Sequence, residues 1–471
     1  MIFMSDGSSS EELAAILRAE IAAFAPGDRL PSSRDLTKRH AVGPATVARA
    51  IALLAAEGTV VTRPGSGTYV AARRPQANTR PADTSWQAVA LAGRHFDPGT
   101  LDTPRVTDGL IVMSGGYLHE SLQPTKALSA ALARAARRPD AWRRAPAAGL
   151  APLRTIFARS AGSGVSPRDV LVTSGGQAAL SMVFRAIAAP GGPVLVESPT
   201  YPGALAAARA AGLQPVPVPT DDDGIRPDLL ADAFEMTKAR LLYCQPTFHN
   251  PTGALLPPGR RRQIVDIARA AGAFLIEDDF ARHLGHGRPV PPPLIADDSD
   301  GTVLYVTSLT KPASPSLRIG AVIARGPVMR RLQGMRLVDD FFIARPFQEA
   351  AIELLSTPAW DRHLRALSAA LHERCTTLAT ALARQIPDWT ITRIPQGGLH
   401  LWVRLPPGHT DTAADAARAQ GVAVESGDRF FPAEPSGAHL RLSFAATADL
   451  AELTEGVRGL AAAADDLDHR R

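Results

Sequence analysis

"VTSLTKPASPSLRIGAV", residues 306–322, contains one of the few lysines in this sequence. The chain of 471 residues has 51 lysines and arginines, and only four of them are lysines: Lys38, Lys126, Lys238 and Lys311. A primary amine can form an imine, whereas a guanidinium cannot, and the guanidinium does not deprotonate in proteins. Lys311 is therefore the first candidate for a site that requires an amine.

Short apolar runs alternate with alanine-rich stretches on the N-terminal side of this segment. The runs are DVLVTSGG, PVLVESPTYPG, RLLYCQPTFHNPTG, AGAFLIEDDF and TVLYVTSLTK. Strands that alternate with helices indicate a mostly parallel α/β sheet. Each predicted strand is followed by polar residues or glycines, at the end where open α/β sheets bind ligands. A ligand site is therefore expected at the carboxyl ends of these strands.

The polar residues at the strand ends form an ordered set. They are Ser174-Gly175-Gly176-Gln177, Tyr201, Asn250, Asp278, Ser308, Lys311 and Arg318. Over about residues 108–471 this set resembles the fold-type I pyridoxal-phosphate (PLP) enzymes of the aspartate aminotransferase kind. The resemblance implies an α/β fold with a large, mostly parallel sheet, and PLP as the cofactor.

The resemblance also implies a task for each residue of the set. Lys311 would bond to the cofactor aldehyde, and Asp278 would keep the pyridine nitrogen protonated, which makes the ring an electron sink. Tyr201 would stack on the ring, and Asn250 would donate to its 3-hydroxyl. The phosphate would be held by a helix start, a hydroxyl and a guanidinium, which are Gly176 with Gln177, Ser308 and Arg318.

The segment GAHLRLSFA near the C-terminus resembles the carboxylate-binding segment of the same family. It implies that Arg441 is a bidentate clamp for an amino-acid-like ligand. The alternative is that Arg441 forms an ordinary ion pair between strands.

The N-terminal residues predict a second, smaller domain. A capped amphipathic helix is expected over residues 8–24, a second helix from Pro31-Ser32-Ser33 to about His40, and a third from Pro44 to Gly58. TVVTRPGSGTYV then reads as a β-hairpin. Three helices and a hairpin in this order indicate a winged helix-turn-helix.

The stretch GDRLPSSRDLTKRHAVGPATVARAIALLAAEGTVVTRPGSGTYV resembles the GntR-type DNA-binding domain. The resemblance implies that double-stranded DNA is met by Arg34, Thr46, Arg49 and Gly67. Arginines and a helix N-terminus suit phosphates and guanine edges, and a glycine can enter a minor groove. The alternative is that Arg34 or Arg49 is only a solvated helix charge.

These patterns predict a domain order. We expect a winged helix-turn-helix at 8–74, a linker at 75–107 that holds a short helix in WQAVALAGR, and an aminotransferase-like PLP domain at 108–471. The combination resembles the MocR-type transcription regulators. It implies a body that senses PLP or an amino compound, and a head-to-tail homodimer in which the DNA-binding domains contact the partner subunit.

A working aminotransferase with a DNA-binding head is the main alternative, because sensing and catalysis use the same residues. Two departures from the usual pattern favour sensing: Arg144 and Phe280 stand where relatives usually carry tyrosine. A structural DNA-binding protein with an inactive body would be expected to lack Lys311 or Asp278. Ser308 and Lys311 also match the Ser-x-x-Lys of penicillin-binding enzymes, but Ser-Asp-Asn and Lys-Thr-Gly do not occur.

The sequence also indicates where in the cell the protein is expected. The sequence has no run of about 18 apolar residues, and its acidic N-terminus does not resemble a signal peptide, so we expect a cytoplasmic protein without a membrane segment. Cys244 and Cys375 give neither a disulfide framework nor a zinc site. The net charge of +5 permits an acidic partner without requiring one.

Overall fold

A computed structural model describes residues 6–72, 83–91, 109–407 and 412–469. The chain divides into two compact units, Met1–His95 and Phe96–Arg471, called here the small and the large unit. Most of the predicted linker lies outside the described residues. Within it, a short helix α4 (Trp86–Ala90) begins the segment WQAVALAGR, and residues 92–94 of that segment are outside the described part.

The small unit has the predicted winged helix-turn-helix. Its elements are α1 (Asp6–Ile21), α2 (Ser33–His40), α3 (Pro44–Ala56), β1 (Val60–Arg63) and β2 (Gly67–Val70). Ser32 and Asp35 form a capping box that starts α2, and β1 pairs antiparallel with β2. Apolar side chains from the three helices and the hairpin meet in one core, which includes Leu17, Leu36 and Leu54.

The large unit is an α/β fold around a mostly parallel sheet, as predicted. In the described residues this sheet has eight strands in the order β4, β11, β10, β9, β8, β5, β6, β7. Strands β11 and β7 run opposite to the other six. In chain order the strands are β4 (Val170–Thr173), β5 (Pro193–Ser198), β6 (Gln214–Asp221), β7 (Gly224–Ile225), β8 (Leu241–Cys244), β9 (Phe274–Asp278), β10 (Val303–Ser308) and β11 (Gly320–Ile323).

Helices cover both faces of this sheet, which is why successive residues of its central strands are buried and mainly apolar up to the polar residues at the strand ends. The helices are α5 (Thr125–Ala136), α6 (Ala151–Ala161), α7 (Gly176–Ile187), α8 (Pro202–Ala210), α9 (Pro227–Thr237), α10 (Pro258–Ala270), α11 (Pro327–Asp339) and α12 (Arg345–Leu355). The five strands predicted from apolar runs are β4, β5, β8, β9 and β10, so that prediction is confirmed.

The C-terminal part of the large unit packs helices on a small antiparallel sheet with the order β12, β13, β16, β15. A separate parallel pair joins β3 to β14. The strands are β3 (Ile111–Val112), β12 (Thr390–Ile391), β13 (His400–Arg404), β14 (Val422–Ala423), β15 (Glu425–Ser426) and β16 (His439–Ser443). The helices are α13 (Pro358–Gln385), α14 (Ala413–Ala419) and α15 (Leu450–His469). Within the described residues, no helix combines the length and the apolar character that crossing a membrane requires.

Candidate functional site

A cavity of about 400 Å³ lies at the carboxyl ends of the parallel strands of the large unit. The strand ends from β5, β8, β9 and β10 contribute to its wall. Because β11 runs the opposite way, it contributes on its N-terminal side through Arg318, two residues before the strand begins. All nine residues predicted for the cofactor and its ligand line this cavity: Gly176, Gln177, Tyr201, Asn250, Asp278, Ser308, Lys311, Arg318 and Arg441.

The side chain of Lys311 lines the cavity together with the other predicted residues. Its Nζ donates to the backbone oxygen of Gly116 at 2.7 Å and lies 3.7 Å from the centre of the Tyr117 ring. Burial lowers the pKa of Lys311 to about 7, with Arg441 and Arg318 acting in the same direction and Asp278 opposing them. Much of the lysine is therefore an uncharged amine near neutral pH, which is the form that attacks an aldehyde.

Asp278 ends β9 and is held by two side chains that the sequence analysis missed. Its Oδ2 accepts from the Tyr243 hydroxyl at 2.7 Å and from Nε2 of Gln245 at 2.9 Å. Burial raises the pKa of Asp278 to about 6, against the lowering effect of both hydrogen bonds. Tyr243 lies in the neighbouring strand and Gln245 follows it, so polar residues at the end of the run LLYCQ were the available signal.

One corner of the cavity, called here the anion corner, is formed by Gly176 at the start of α7, Ser308 and Arg318. Gly175, with φ of +97°, turns the chain into α7, and the Arg318 guanidinium donates from Nη2 to the Ser174 oxygen at 2.7 Å. A Cβ on Gly175 would lie 2.9 Å from that Nη2, so only glycine fits this approach. Ser308 donates through its hydroxyl to Thr310, a cavity residue that the sequence analysis also missed.

Tyr201 and Asn250 form the walls beside Lys311. The Tyr201 hydroxyl donates to Oε1 of Gln177 at 3.1 Å, and Gln177 in turn donates to the Gly203 oxygen at 2.7 Å. Burial raises the pKa of Tyr201, so it remains a neutral ring. Asn250 accepts at Oδ1 from Arg441 at 3.1 Å, which leaves its amide hydrogens for another acceptor.

Arg441 is buried on β16. Its Nη2 donates to the Ser114 oxygen at 2.8 Å, and its guanidinium lies 4.9 Å from the centre of the Phe430 ring. Burial lowers the pKa of Arg441 to about 10, so it stays charged at neutral pH. The strand ion pair considered from the sequence is present as a 3.7 Å contact with Glu425, which is opposite Arg441 in the ladder.

The two residues that depart from the usual pattern lie in different places. Phe280 lines the cavity next to Asp278 and Lys311. Arg144 is exposed, and its guanidinium lies 5.7 Å from the centre of the Phe342 ring rather than among the cavity-lining residues.

A second group of charges surrounds Asp279, the residue that follows β9. Asp279 accepts at Oδ2 from Nε of Arg282 at 2.6 Å and from the Tyr305 hydroxyl at 3.0 Å. Asp278 and Asp279 are therefore adjacent in sequence but differ in environment, because only Asp279 is directly paired with a cation.

The residues predicted to meet DNA all lie on the helices and hairpin of the small unit. Arg34 on α2 and Arg49 on α3 are exposed, and neither forms an ion pair within residues 6–72. Thr46 is in the first turn of α3. Gly67 begins β2 with φ of +120°, and a Cβ there would lie 2.8 Å from Nε of Arg29. Its conformation alone thus requires glycine, whatever it contacts.

Two known protein families match this chain, one within the small unit and one within the large unit. The family described as "Aminotransferase class I and II" matches residues 108–460, and "Bacterial regulatory proteins, gntR family" matches residues 9–70. The uncharacterized HTH-type transcriptional regulator YdcR of Escherichia coli is 32% identical, and the similarity covers 90% of this chain and 92% of YdcR. The uncharacterized HTH-type transcriptional regulator YdfD of Bacillus subtilis is 26% identical, over 92% of this chain and 90% of YdfD.

Among solved structures, LysN of Thermus thermophilus, an alpha-aminoadipate aminotransferase complexed with N-(5'-phosphopyridoxyl)-L-leucine, matches with a TM-score of 0.76. It is 30% identical and covers 82% of this chain and 100% of its own. A GntR-type head joined to a fold-type I aminotransferase-like body defines a DNA-binding transcription regulator. The chain belongs to the aminotransferase class I and II family, within the MocR-type group of these regulators.

Proposed function

We propose that this regulator binds PLP in the cavity of the large unit and responds there to an amino-acid-like effector. The observation that carries the proposal is the grouping of Lys311, with its pKa lowered to about 7, with Asp278 and Arg441 in one cavity. The amine of Lys311 suits an aldehyde, and the buried carboxylate of Asp278 suits a protonated pyridine nitrogen. The buried guanidinium of Arg441 suits a carboxylate.

The residues present fit the cofactor. The anion corner of Gly176, Ser308 and Arg318 suits a phosphate group, because a helix start and a guanidinium both favour negative charge there. The Gln177 side chain is used by Tyr201 and Gly203, which leaves its backbone N–H at that helix start. The complex of LysN with a phosphopyridoxyl amino acid supports the assignment. Bound PLP would supply an aldehyde for amines and an electron-withdrawing ring.

The remaining residues orient the two ligands. Tyr243 and Gln245 favour the ionised form of Asp278, which is the form that keeps a pyridine nitrogen protonated. Tyr201 would cover one face of the ring, and Asn250 would donate to its 3-oxygen. Arg441 keeps three N–H donors after its bonds to Asn250 and Ser114, which is enough for a bidentate carboxylate.

The second candidate is full aminotransferase activity. The presence of Lys311, Asp278 and Arg441 in one cavity is compatible with it. Phe280 favours sensing, because a phenylalanine at the cavity wall cannot donate the hydrogen bond that a tyrosine would provide.

We assign operator binding to the small unit through Arg34, Thr46, Arg49 and Gly67. The exposed positions of both arginines support contacts with phosphates or guanine edges. A regulator of this kind acts where the chromosome is, which supports a cytoplasmic location.

We assign a homodimer to the large unit, in the head-to-tail arrangement implied by its family. Five of the exposed large apolar side chains of this unit are together called here the apolar patch: Trp142, Leu337, Val338, Phe341 and Phe347. The segment around Trp142 contacts the segment from Leu337 to Phe347, because Arg144 lies over the Phe341 ring and Arg345 pairs with Asp140. Exposed apolar groups of this kind commonly mark a protein interface, and sedimentation velocity of the full chain tests the assignment.

The deciding experiment for function is an absorbance scan of the PLP-loaded full chain with a panel of amino acids, followed by assay of keto-acid product. Sensing is supported if an amino acid changes both the cofactor spectrum and the affinity for the operator, while the keto acid formed does not exceed one equivalent per protein chain. Sustained production of keto acid over many equivalents would replace it with the aminotransferase alternative. A chain that takes up no PLP would refute both.

A further inference from the structure

The wall of the cavity beside Arg441 carries an acid that the proposed cofactor site does not use. Glu425 is 6% exposed and lines the cavity with Arg429, Phe430 and Arg441. Its Oε1 accepts from Nη1 of Arg429, and its Oε2 lies 3.7 Å from Nη2 of Arg441. A buried carboxylate is therefore fixed next to the guanidinium assigned to the effector.

The position of Glu425 is set by rigid surroundings. Glu425 is opposite Arg441 across the β15–β16 ladder. The following turn is anchored where the Phe430 ring packs on Trp402 with centres 5.6 Å apart, and where the Phe430 oxygen accepts from the Thr200 N–H at 2.7 Å. These contacts hold the turn, and the carboxylate itself is held by Arg429. Glu425 therefore contributes a negative charge to the effector side of the cavity.

The cations that line the cavity are Lys311, Arg318, Arg429 and Arg441. Lys311 and Arg318 are assigned to the cofactor, and Arg441 to the carboxylate that every amino acid carries. Arg429 already donates to Glu425. The fifth basic residue of the wall, His400, is neutral because burial holds its pKa well below the usual value. Among the residues that the structure describes, a second carboxylate on the effector would thus meet Glu425 without a cation of its own.

We propose that Glu425 is a specificity-determining residue that restricts the effector to amino acids whose side chain carries no negative charge. This inference rests on the proposed function, because it concerns the ligand of the same cavity. Like charges in a poorly solvated site repel strongly, so an acidic side chain is disfavoured while a neutral or basic one is accepted.

The test compares L-norleucine with L-2-aminoadipate, whose side chains have matching length and differ by a terminal carboxylate. Both are titrated into the PLP-loaded full chain, with the cofactor absorbance as the readout. The natural chain should bind norleucine at least about tenfold more tightly, which corresponds to about 1.4 kcal/mol. In Glu425→Gln, which keeps an oxygen to accept from Arg429, this ratio should fall by at least about tenfold.

The ratio of the two affinities separates specificity from structure, because any effect of Glu425 on the shared α-carboxylate cancels. Glu434→Gln removes the same charge from an exposed position later in the same segment of the chain and should leave the ratio unchanged. Equal affinities in the natural chain, or an equal loss for both ligands in Glu425→Gln, would overturn the inference. No response to any amino acid by a chain that has bound PLP would instead refute effector sensing, and the inference with it.

Discussion

Replacing Asp278 with asparagine should stabilise the cofactor-free protein while weakening its hold on PLP. Both hydrogen bonds to Asp278, from Tyr243 and Gln245, end on the same oxygen, Oδ2. The oxygen of an asparagine can take that place, and its amide group can occupy the position of Oδ1. The substitution therefore removes the buried charge without leaving either donor unpaired.

The magnitude follows from the pKa of Asp278. Burial raises it from the usual 3.8 to about 6. At 1.36 kcal/mol per unit, holding this carboxylate ionised costs about 3 kcal/mol of folding free energy. Because the folded pKa lies above the unfolded one, the cost is absent below the unfolded value, grows between the two, and is complete above about pH 6.

The assay is calorimetric unfolding of the cofactor-free full chain and of Asp278→Asn across this pH range. The melting temperature of the large unit should rise by several degrees in the variant near pH 8, where Lys311 is mostly neutral and adds little coupling. The difference should shrink towards pH 4. The same variant should bind PLP more weakly, since it cannot pair with a protonated pyridine nitrogen.

Asp279→Asn is the matched control, because the neighbouring carboxylate is buried and paired with Arg282, whose side chain is 12% exposed. Removing that charge leaves Arg282 without its anion, and breaking such a pair costs about 3–5 kcal/mol. The two adjacent substitutions should thus act in opposite directions. A lower melting temperature for Asp278→Asn near pH 8, or the same sign for both variants, would show that the burial cost of Asp278 has been misjudged.

Three further outcomes are expected. Lys311→Arg should keep the positive charge yet lose the visible absorbance of lysine-bound PLP, and retention of that band after dialysis would place the attachment at another lysine. Phe280→Tyr should lower the pKa of the nitrogen that links Lys311 to PLP, because a tyrosine hydroxyl would stabilise the anionic 3-oxygen by about 1.5–3 kcal/mol; an equal or higher pKa in a spectral titration would show that residue 280 does not face that oxygen. Arg34→Ala should weaken operator binding by about 1–3 kcal/mol in a mobility-shift assay and leave cofactor absorbance unchanged, whereas unchanged affinity in moderate salt would contradict the assigned orientation of the small unit.

Much of the fold was predictable because its signals are local. Apolar runs bounded by glycine and polar residues marked the strands β4, β5, β8, β9 and β10. The stretch Pro31-Ser32-Ser33 marked the start of α2, and in the structure Ser32 forms a capping box there with Asp35. These signals depend on the neighbours of each residue in the chain, so they can be read without the tertiary structure.

Part of the cavity was predictable for a different reason. In a parallel sheet, the carboxyl ends of strands meet at one edge wherever they occur in the chain, so Asp278 and Lys311 could be grouped from strand ends alone. Gln245 and Tyr243 carried a weaker form of the same signal, since polar residues near a strand end have many other uses.

The two-part architecture and the strand ends that meet at the cavity could be predicted from the amino-acid sequence, and the scarcity of lysine pointed to Lys311. The place of Glu425 beside Arg441 and the lowered pKa of Lys311, about 7, became apparent from the folded structure. The register between two short strands and the burial of a charge depend on what packs around them, and those neighbours are distant in sequence. Strand ends follow from local pattern, whereas the charges that tune a site follow from packing.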